Sequence, residues 1–268
     1  MNIVLTGSSS GIGKYLADAL AAGGHQICRI ARSAQPGFSF QCDVADWSAL
    51  EAVAKSVASK WNHVDALICC AGVQEPIGPA MEIDPAAWRQ TLAVNLDGTF
   101  FAIRAFHSLL KKSPARAKVL CFSGGGSTSP RPNFAAYGIS KTGVVRLVET
   151  LAVEWKGQPI DINAIAPGAI FTKMTEEVLA RGATLSGQKE FEGANKTSRE
   201  DNAAKLEKVR GLVEMLLSSQ SDGISGRLLS APWDPWQQLA EHRDELAASD
   251  IFTLRRIVPE DRGKNWNK

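Results

Sequence analysis

The chain has 268 residues, with 30 Lys and Arg against 28 Asp and Glu, 44% hydrophobic residues and 5 Cys. A formal charge of +2 leaves no uncompensated basic footprint for nucleic acid or an anionic membrane, and the hydrophobic fraction excludes a disordered chain. At roughly 150 residues per domain the length falls between one domain and two, although doubly wound folds often run to about 250 residues as one unit.

The N-terminal run MNIVLTGSSSGIG has no basic start followed by an apolar stretch and a cleavage site, so secretion is not expected. No apolar run approaches the roughly 20 residues needed to span a bilayer. Short β-branched or apolar runs predict strands near 2–6, 26–31, 38–41, 65–70, 117–122, 160–165 and 226–230. Helical periodicity predicts helices near 11–23, 46–60, 85–111, 134–156 and 200–218, the first stopped by Gly23-Gly24. The alternation implies an α/β fold: a doubly wound, Rossmann-like, seven-stranded parallel sheet with helices on both faces.

Residues 173–200 are polar and carry Gly182, Gly187 and Gly193, which predicts a mobile loop or helical lid. After Ala231, the residues Pro232, Trp233, Pro235 and Trp236 break the pattern, and 237–248 read as a helix. Exposed Trp is costly, so Trp233 and Trp236 are expected to pack on the body, a neighbouring subunit or the mouth of a site. Cys28, Cys42, Cys69, Cys70 and Cys121 are odd in number, lack the paired spacing of a zinc site and lie mostly in apolar runs. They read as reduced, buried thiols of a cytoplasmic protein, with no metal. His25, His63, His107 and His242 are scattered singly.

Directly after the first strand, TGSSSGIG (residues 6–13) leads into a helix. Gly7, Gly11 and Gly13 permit tight turning and close approach of a pyrophosphate to the amides at the helix start, where the dipole also favours an anion. With Ser9, Ser10 and Ile12 they form the expected phosphate cradle of a dinucleotide. The spacing is G-x-x-x-G-x-G, yet the strand-turn-helix context is that of dinucleotide sites. At the end of the second strand, where a carboxylate would bind a ribose hydroxyl, the run ICRIARS places Ala31 and Arg32. This predicts NADP(H) in preference to NAD(H), with Arg32 facing the 2′-phosphate; a solvated loop charge is the alternative for Arg32.

The run AAYGISK puts Tyr137 and Lys141 four apart on one helical face. An ammonium near a phenol favours the phenolate and suits the pair to general acid/base work. Taken in order, TGSSSGIG, Asp43-Val44, Ala71-Gly72, Asn95, YGISK and Pro167-Gly168 resemble the short-chain dehydrogenase/reductase superfamily in its compact single-domain form, over residues 1 to about 231. The resemblance implies that Tyr137 exchanges a proton with an alcohol or carbonyl. It further implies that Lys141 holds the nicotinamide ribose and that Asn95 anchors a water in the proton relay. Asp43 and Val44 would border the adenine, Ala71 and Gly72 would lie along the cofactor, and Pro167, Gly168, Ile170 and Thr172 would line the nicotinamide. Family members also pair through the helices near 85–111 and 134–156, which implies a homodimer or homotetramer.

The sequence departs from the family at Gly124, thirteen residues before Tyr137, where a substrate-orienting Ser is usual. Ser123, Ser127 or the glycine amides are the candidate substitutes, with Ser123 joining Tyr137, Lys141 and Asn95 in the expected catalytic set. Cys69 and Cys70 replace two amides of the family's Asn-Asn-Ala-Gly, which reads as a structural substitution. The expected organisation is an NADP(H)-binding catalytic domain over 1–231, a substrate lid at 173–200 within it, and a Trp-containing extension over 232–268. The expected activity is hydride transfer between nicotinamide and a carbonyl or secondary alcohol of a polar small molecule. Charged lid residues Lys173, Glu176, Glu177, Arg181, Lys189 and Lys196 suggest such a substrate, a solvated lid exterior being the alternative. The SGGG turn and the TLRRIVPEDRGKNW ending resemble a subgroup associated with bacterial surface-carbohydrate pathways, which implies a keto-sugar or nucleotide-sugar. The alternative is a non-catalytic NADP(H)-binding sensor or scaffold.

Overall fold

A computed structural model describes residues 1–266. Seven parallel strands, β1 (Asn2–Thr6), β2 (Gln26–Ala31), β3 (Ser39–Gln41), β4 (Ala66–Cys69), β5 (Ala117–Phe122), β6 (Ile160–Ala166) and β7 (Leu228–Ser230), form one sheet in the order β3-β2-β1-β4-β5-β6-β7. The order reverses between β1 and β4, so the loops leaving those strands diverge and open a crevice at their C-terminal ends.

The strand sequences explain the two-sided core, because successive side chains face opposite ways. Val4, Leu67, Cys69, Val119, Cys121 and Ile162 enter one cluster. Ile3, Leu5, Ile68, Leu120, Phe122 and Ile165 enter the other. The first cluster is covered by α2 (Trp47–Lys60), α4 (Gly98–Leu110) and α5 (Ala135–Glu154), the second by α1 (Gly11–Ala22) and α8 (Asn202–Leu217). Side chains such as Leu16, Leu50 and Leu120 are essentially buried, each contributing about 1.5–3 kcal/mol of transfer free energy. All five cysteines are free thiols; burial pushes Cys28 and Cys70 up to about 12 and Cys42 up to about 11.

Three predicted elements differ in detail. The helix expected over 85–111 is α3 (Pro85–Leu92), a π-helical turn (Ala93–Asp97) and α4. The wide turn rotates Asn95 toward the segment after β4, while Gly98 lets Val44 come within 2.7 Å of where its β-carbon would be. Residues 173–200, expected as a loop or a helical lid, are two helices, α6 (Lys173–Ser186) and α7 (Gln188–Arg199). Gly182 (φ 66°) kinks the first and Gly187 (φ 86°) separates the two, conformations that suit glycine. The predicted helix at 237–248 is reduced to a 3₁₀ turn (Trp236–Gln238) and α9 (Arg243–Ala248).

The segment after β7 is nevertheless built into the body. Trp236 packs on α8, where a β-carbon on Gly211 would lie 2.9 Å from its ring, and its indole N–H donates to the Ala231 carbonyl at 3.0 Å. Leu239 and Leu246 join the second core cluster. The outward amides of β7 are both taken: Leu228 N–H donates to the Phe252 carbonyl at 2.8 Å, and Ser230 N–H to Asp234 Oδ2 at 2.6 Å. Of the places expected for Trp233, the structure gives the mouth of a site: it is 83% exposed and borders the crevice described below. No helix among the described residues is long and apolar enough to cross a membrane.

Candidate active site

The loops at the C-terminal ends of the strands enclose a cavity of about 1530 Å³. All the residues expected at the site line it except Asn95, which stands behind its wall. Gly7 has φ 74°, and a β-carbon there would fall 2.6 Å from the Ala71 amide nitrogen; one on Gly13 would fall 2.2 Å from the Gly7 carbonyl oxygen. Only glycine fits either position, and the result is a concave backbone path at the start of α1. Ser10 caps α1 without a side-chain hydrogen bond, so the first-turn amides have no capping side chain. Arg32, at the end of β2, is exposed and borders the same cavity. A bare glycine cradle, uncapped helix amides and a guanidinium are donors suited to a dinucleotide's phosphates, so the residues fit the implied cofactor.

Asn95 is fully buried. Its Oδ1 accepts from Val73 N–H at 2.8 Å, and its Nδ2 donates to the Val73 carbonyl at 2.8 Å and to Ser140 Oγ at 2.9 Å. The side chain thus staples the segment after β4 to α5. Lys141, 4% exposed, donates from Nζ to the Phe122 carbonyl at 2.8 Å and lies 5.7 Å from the Tyr137 ring centroid. Burial lowers its pKa to about 8.

Tyr137 is buried in a small apolar cluster with Ile77, Phe134, Val178 and Ala194, the last two supplied by α6 and α7. The two helices therefore close over the phenol. Burial pushes its pKa up, while the Arg131 guanidinium pulls it down. Gly124 is held open for Tyr137, since a β-carbon there would meet the hydroxyl oxygen at 2.3 Å. Ser123 is buried and its hydroxyl donates to the Lys141 carbonyl at 3.3 Å, so it is bonded to helix backbone and not to Tyr137. The amides of Gly124, Gly125 and Gly126 donate to no acceptor among the described residues.

Sequence reasoning missed Arg131. It follows the glycine run, lies with its guanidinium carbon 3.8 Å from the Phe134 ring centroid and 5.5 Å from that of Tyr137, and pairs with Glu190 of α7 at 2.8 Å. The usable signal was a lone cation between SGGG and the Tyr. Of the charged lid residues, Lys173, Glu177 and Lys189 border the cavity, while Arg181 pairs with Glu75 at 2.9 Å. Among the described residues no cluster of His, Cys, Asp or Glu could hold a metal ion.

A family model described as enoyl-(acyl carrier protein) reductase matches residues 7–231. Galactitol 2-dehydrogenase (L-tagatose-forming) of Cereibacter sphaeroides is 36% identical over 190 residues, covering 66% of this chain and 74% of that one. D-threitol dehydrogenase of Mycolicibacterium smegmatis is 33% identical over 185 residues, covering 64% and 70%. The ligand-free aldohexose dehydrogenase of Thermoplasma acidophilum shares the fold, with a TM-score of 0.75 at 18% identity over 95% of this chain and 96% of that one. A family match over most of the chain, on the sheet order and cavity just described, makes this protein a member of the short-chain dehydrogenase/reductase superfamily, an oxidoreductase acting on CH–OH groups with NAD(P).

Proposed function

We propose that the protein interconverts a secondary alcohol and a ketone on a polar, polyhydroxylated small molecule, using NADP(H) in preference to NAD(H), with Tyr137 as general acid/base. The observation that carries the reading is the phenol–ammonium pair of Tyr137 and Lys141 on one face of α5, at the wall of a cavity that also contains the glycine cradle. The galactitol and D-threitol named for two relatives support a polyol or the corresponding keto-sugar. A nucleotide-sugar is the larger variant of the same class.

The bound nicotinamide supplies or accepts the hydride. Tyr137 gives its hydroxyl proton to the carbonyl oxygen during reduction and takes it from the alcohol during oxidation. The Arg131 guanidinium favours the phenolate against the opposing effect of burial, and Lys141 stands 5.7 Å from the phenol ring centroid. Asn95 fixes the spacing between α5 and the segment bearing Ala71 and Gly72. The free amides of the glycine run, beside Ser123, offer donors to the substrate oxygen. Asp43 and Val44, which line the cavity, would border the adenine end, and Pro167, Gly168, Ile170 and Thr172, lining it as well, the nicotinamide end.

Free, protonated thiols support a reducing, cytoplasmic setting. Phe100 on α4 and Ile139 and Val153 on α5 are 38%, 53% and 75% exposed, apolar area that suits these helices to pairing in a homodimer or homotetramer.

The test is NADP⁺-dependent oxidation of galactitol and D-threitol by the wild type and Tyr137→Phe. The variant is expected to lose at least about 100-fold in kcat while still binding NADPH. Full turnover by Tyr137→Phe overturns the assignment of Tyr137. Failure of the wild type to turn over any polyol or its ketone, with NADPH bound, overturns the substrate class.

A further inference from the structure

Arg131 lies across the glycine run: a β-carbon on Gly126 would come within 3.2 Å of its Cβ, and one on Gly125 within 3.7 Å of its Cδ. Its side chain is 17% exposed, and its carboxylate partner among the described residues is Glu190, bonded through Nη2 at 2.8 Å. Nε and Nη1 donate to no described residue. A guanidinium stays charged at any physiological pH, so a half-enclosed one needs a counter-charge.

That counter-charge sits on the element that covers the phenol. Val178 of α6 and Ala194 of α7 pack against Tyr137, leaving it 8% exposed where it borders the cavity, so a substrate at the phenol lies against those helices. Gly182 and Gly187, at φ 66° and 86°, provide joints at the kink and between the helices. Both partners line the cavity, so any outward shift of α7 takes Glu190 with it and leaves Arg131 facing the cavity unpaired. The nearby wall does not replace the lost charge, since Lys173 and Lys189 are cations with no ion-pair partner among the described residues. Of the other carboxylates lining the cavity, Glu177 faces Glu75, Gln74, Lys173 and Arg181, Glu200 pairs with Lys205, Asp234 accepts from Ser230 N–H and Asp43 from Ala45 N–H.

We propose that Arg131 is an anion anchor in the substrate pocket, where a carboxylate or phosphate of the substrate takes the place of Glu190 on the guanidinium. The fork of Arg131 suits both groups, and each can engage the free Nε and Nη1 donors. The inference rests on the proposed reaction at Tyr137 and narrows its substrate to an acidic polyol, such as a sugar acid or sugar phosphate. With the guanidinium carbon 5.5 Å from the Tyr137 ring centroid, the anionic group lies only a short chain from the reacting carbon. In the closed arrangement Glu190 is the pocket's own competitor for that position.

The test is calorimetric titration of the full chain, with NADP⁺ present, using galactonate, galactitol 1-phosphate and galactitol as probes. At least one of the two anions is expected to bind the wild type 10-fold or more tightly than galactitol, and which one does so separates carboxylate from phosphate. Arg131→Gln is expected to abolish that advantage, and Arg131→Lys to keep part of it by charge without the fork. Glu190→Gln, which removes the competitor without changing side-chain size, is expected to strengthen anion binding relative to galactitol by about 3-fold or more. Anions that bind no tighter than galactitol, an advantage that survives Arg131→Gln, or weaker anion binding in Glu190→Gln would each overturn the anchor. Turnover is measured separately: its absence with the anion advantage intact overturns the proposed reaction alone, and turnover without the advantage overturns the anchor alone.

Discussion

The Tyr137 hydroxyl and Gly124 share one space, since a β-carbon on Gly124 would stand 2.3 Å from the hydroxyl oxygen. The phenol therefore occupies the place where the serine usual in the family would begin. Gly124→Ser is expected to displace Tyr137 rather than restore a familiar site. Tyr137 is hemmed in by Ile77, Phe134, Val178 and Ala194, so the overpacking costs about 1–3 kcal/mol. Urea denaturation checks that figure, and kcat is expected to fall at least about 10-fold, since a misplacement near 1 Å is enough for such a loss.

Lys141 has a pH signature. Burial lowers its pKa from the ordinary 10.5 to about 8, so folding sheds a proton between those values. Below about pH 8 both states carry the proton and the penalty for burying the charge is constant. Stability gains about 3 kcal/mol from this group as pH climbs through that window. Lys141→Met lacks the gain. Chemical denaturation at pH 7.5 and 10 is expected to show wild-type stability rising relative to the variant by about 2 kcal/mol.

Arg32 is exposed at the end of β2 and has no carboxylate beside it to prefer a ribose hydroxyl. Arg32→Glu is expected to raise the KM for NADP⁺ at least about 10-fold and leave that for NAD⁺ unchanged or lower. Added salt is expected to weaken NADP⁺ binding more in the wild type than in the variant, because an exposed charge pair is screened. Steady-state kinetics with both nucleotides at two ionic strengths decide it.

Arg227 pins the C-terminal segment. Its guanidinium is largely buried and donates to the carbonyls of Ser249 at 3.0 Å, Ile251 at 2.8 Å and Leu246. Arg227→Met leaves three acceptors without their donor and is expected to cost about 2–4 kcal/mol. Hydrogen exchange is expected to quicken over 246–254, with little change at β4 and β5.

The sheet was readable because its strands alternate between two apolar faces, as in β5, where Val119 and Cys121 oppose Leu120 and Phe122. Tyr137 and Lys141 were readable because a spacing of four fixes a shared helical face. The π-helical turn at Ala93–Asp97 was not, since it inserts an extra residue without a Gly or Pro to mark it. The lid was legible only as a choice between loop and helix, because its polar sequence buries few apolar side chains, among them Val178 and Ala194. Arg131 was invisible for a different reason. Its partner Glu190 lies fifty-nine residues away, and only the packing of α7 over Tyr137 brings them together.

The two outward amides of β7, on Leu228 and Ser230, are occupied by Phe252 and Asp234 of the same chain. An edge strand with free amides is a template on which another chain can add a strand. Here the C-terminal segment works as a stopper, closing the sheet's growing end with the protein's own backbone and a carboxylate. Copies of this chain cannot join through a continuous sheet across β7 without first peeling that segment away, which keeps a short, otherwise sticky edge from seeding aggregates.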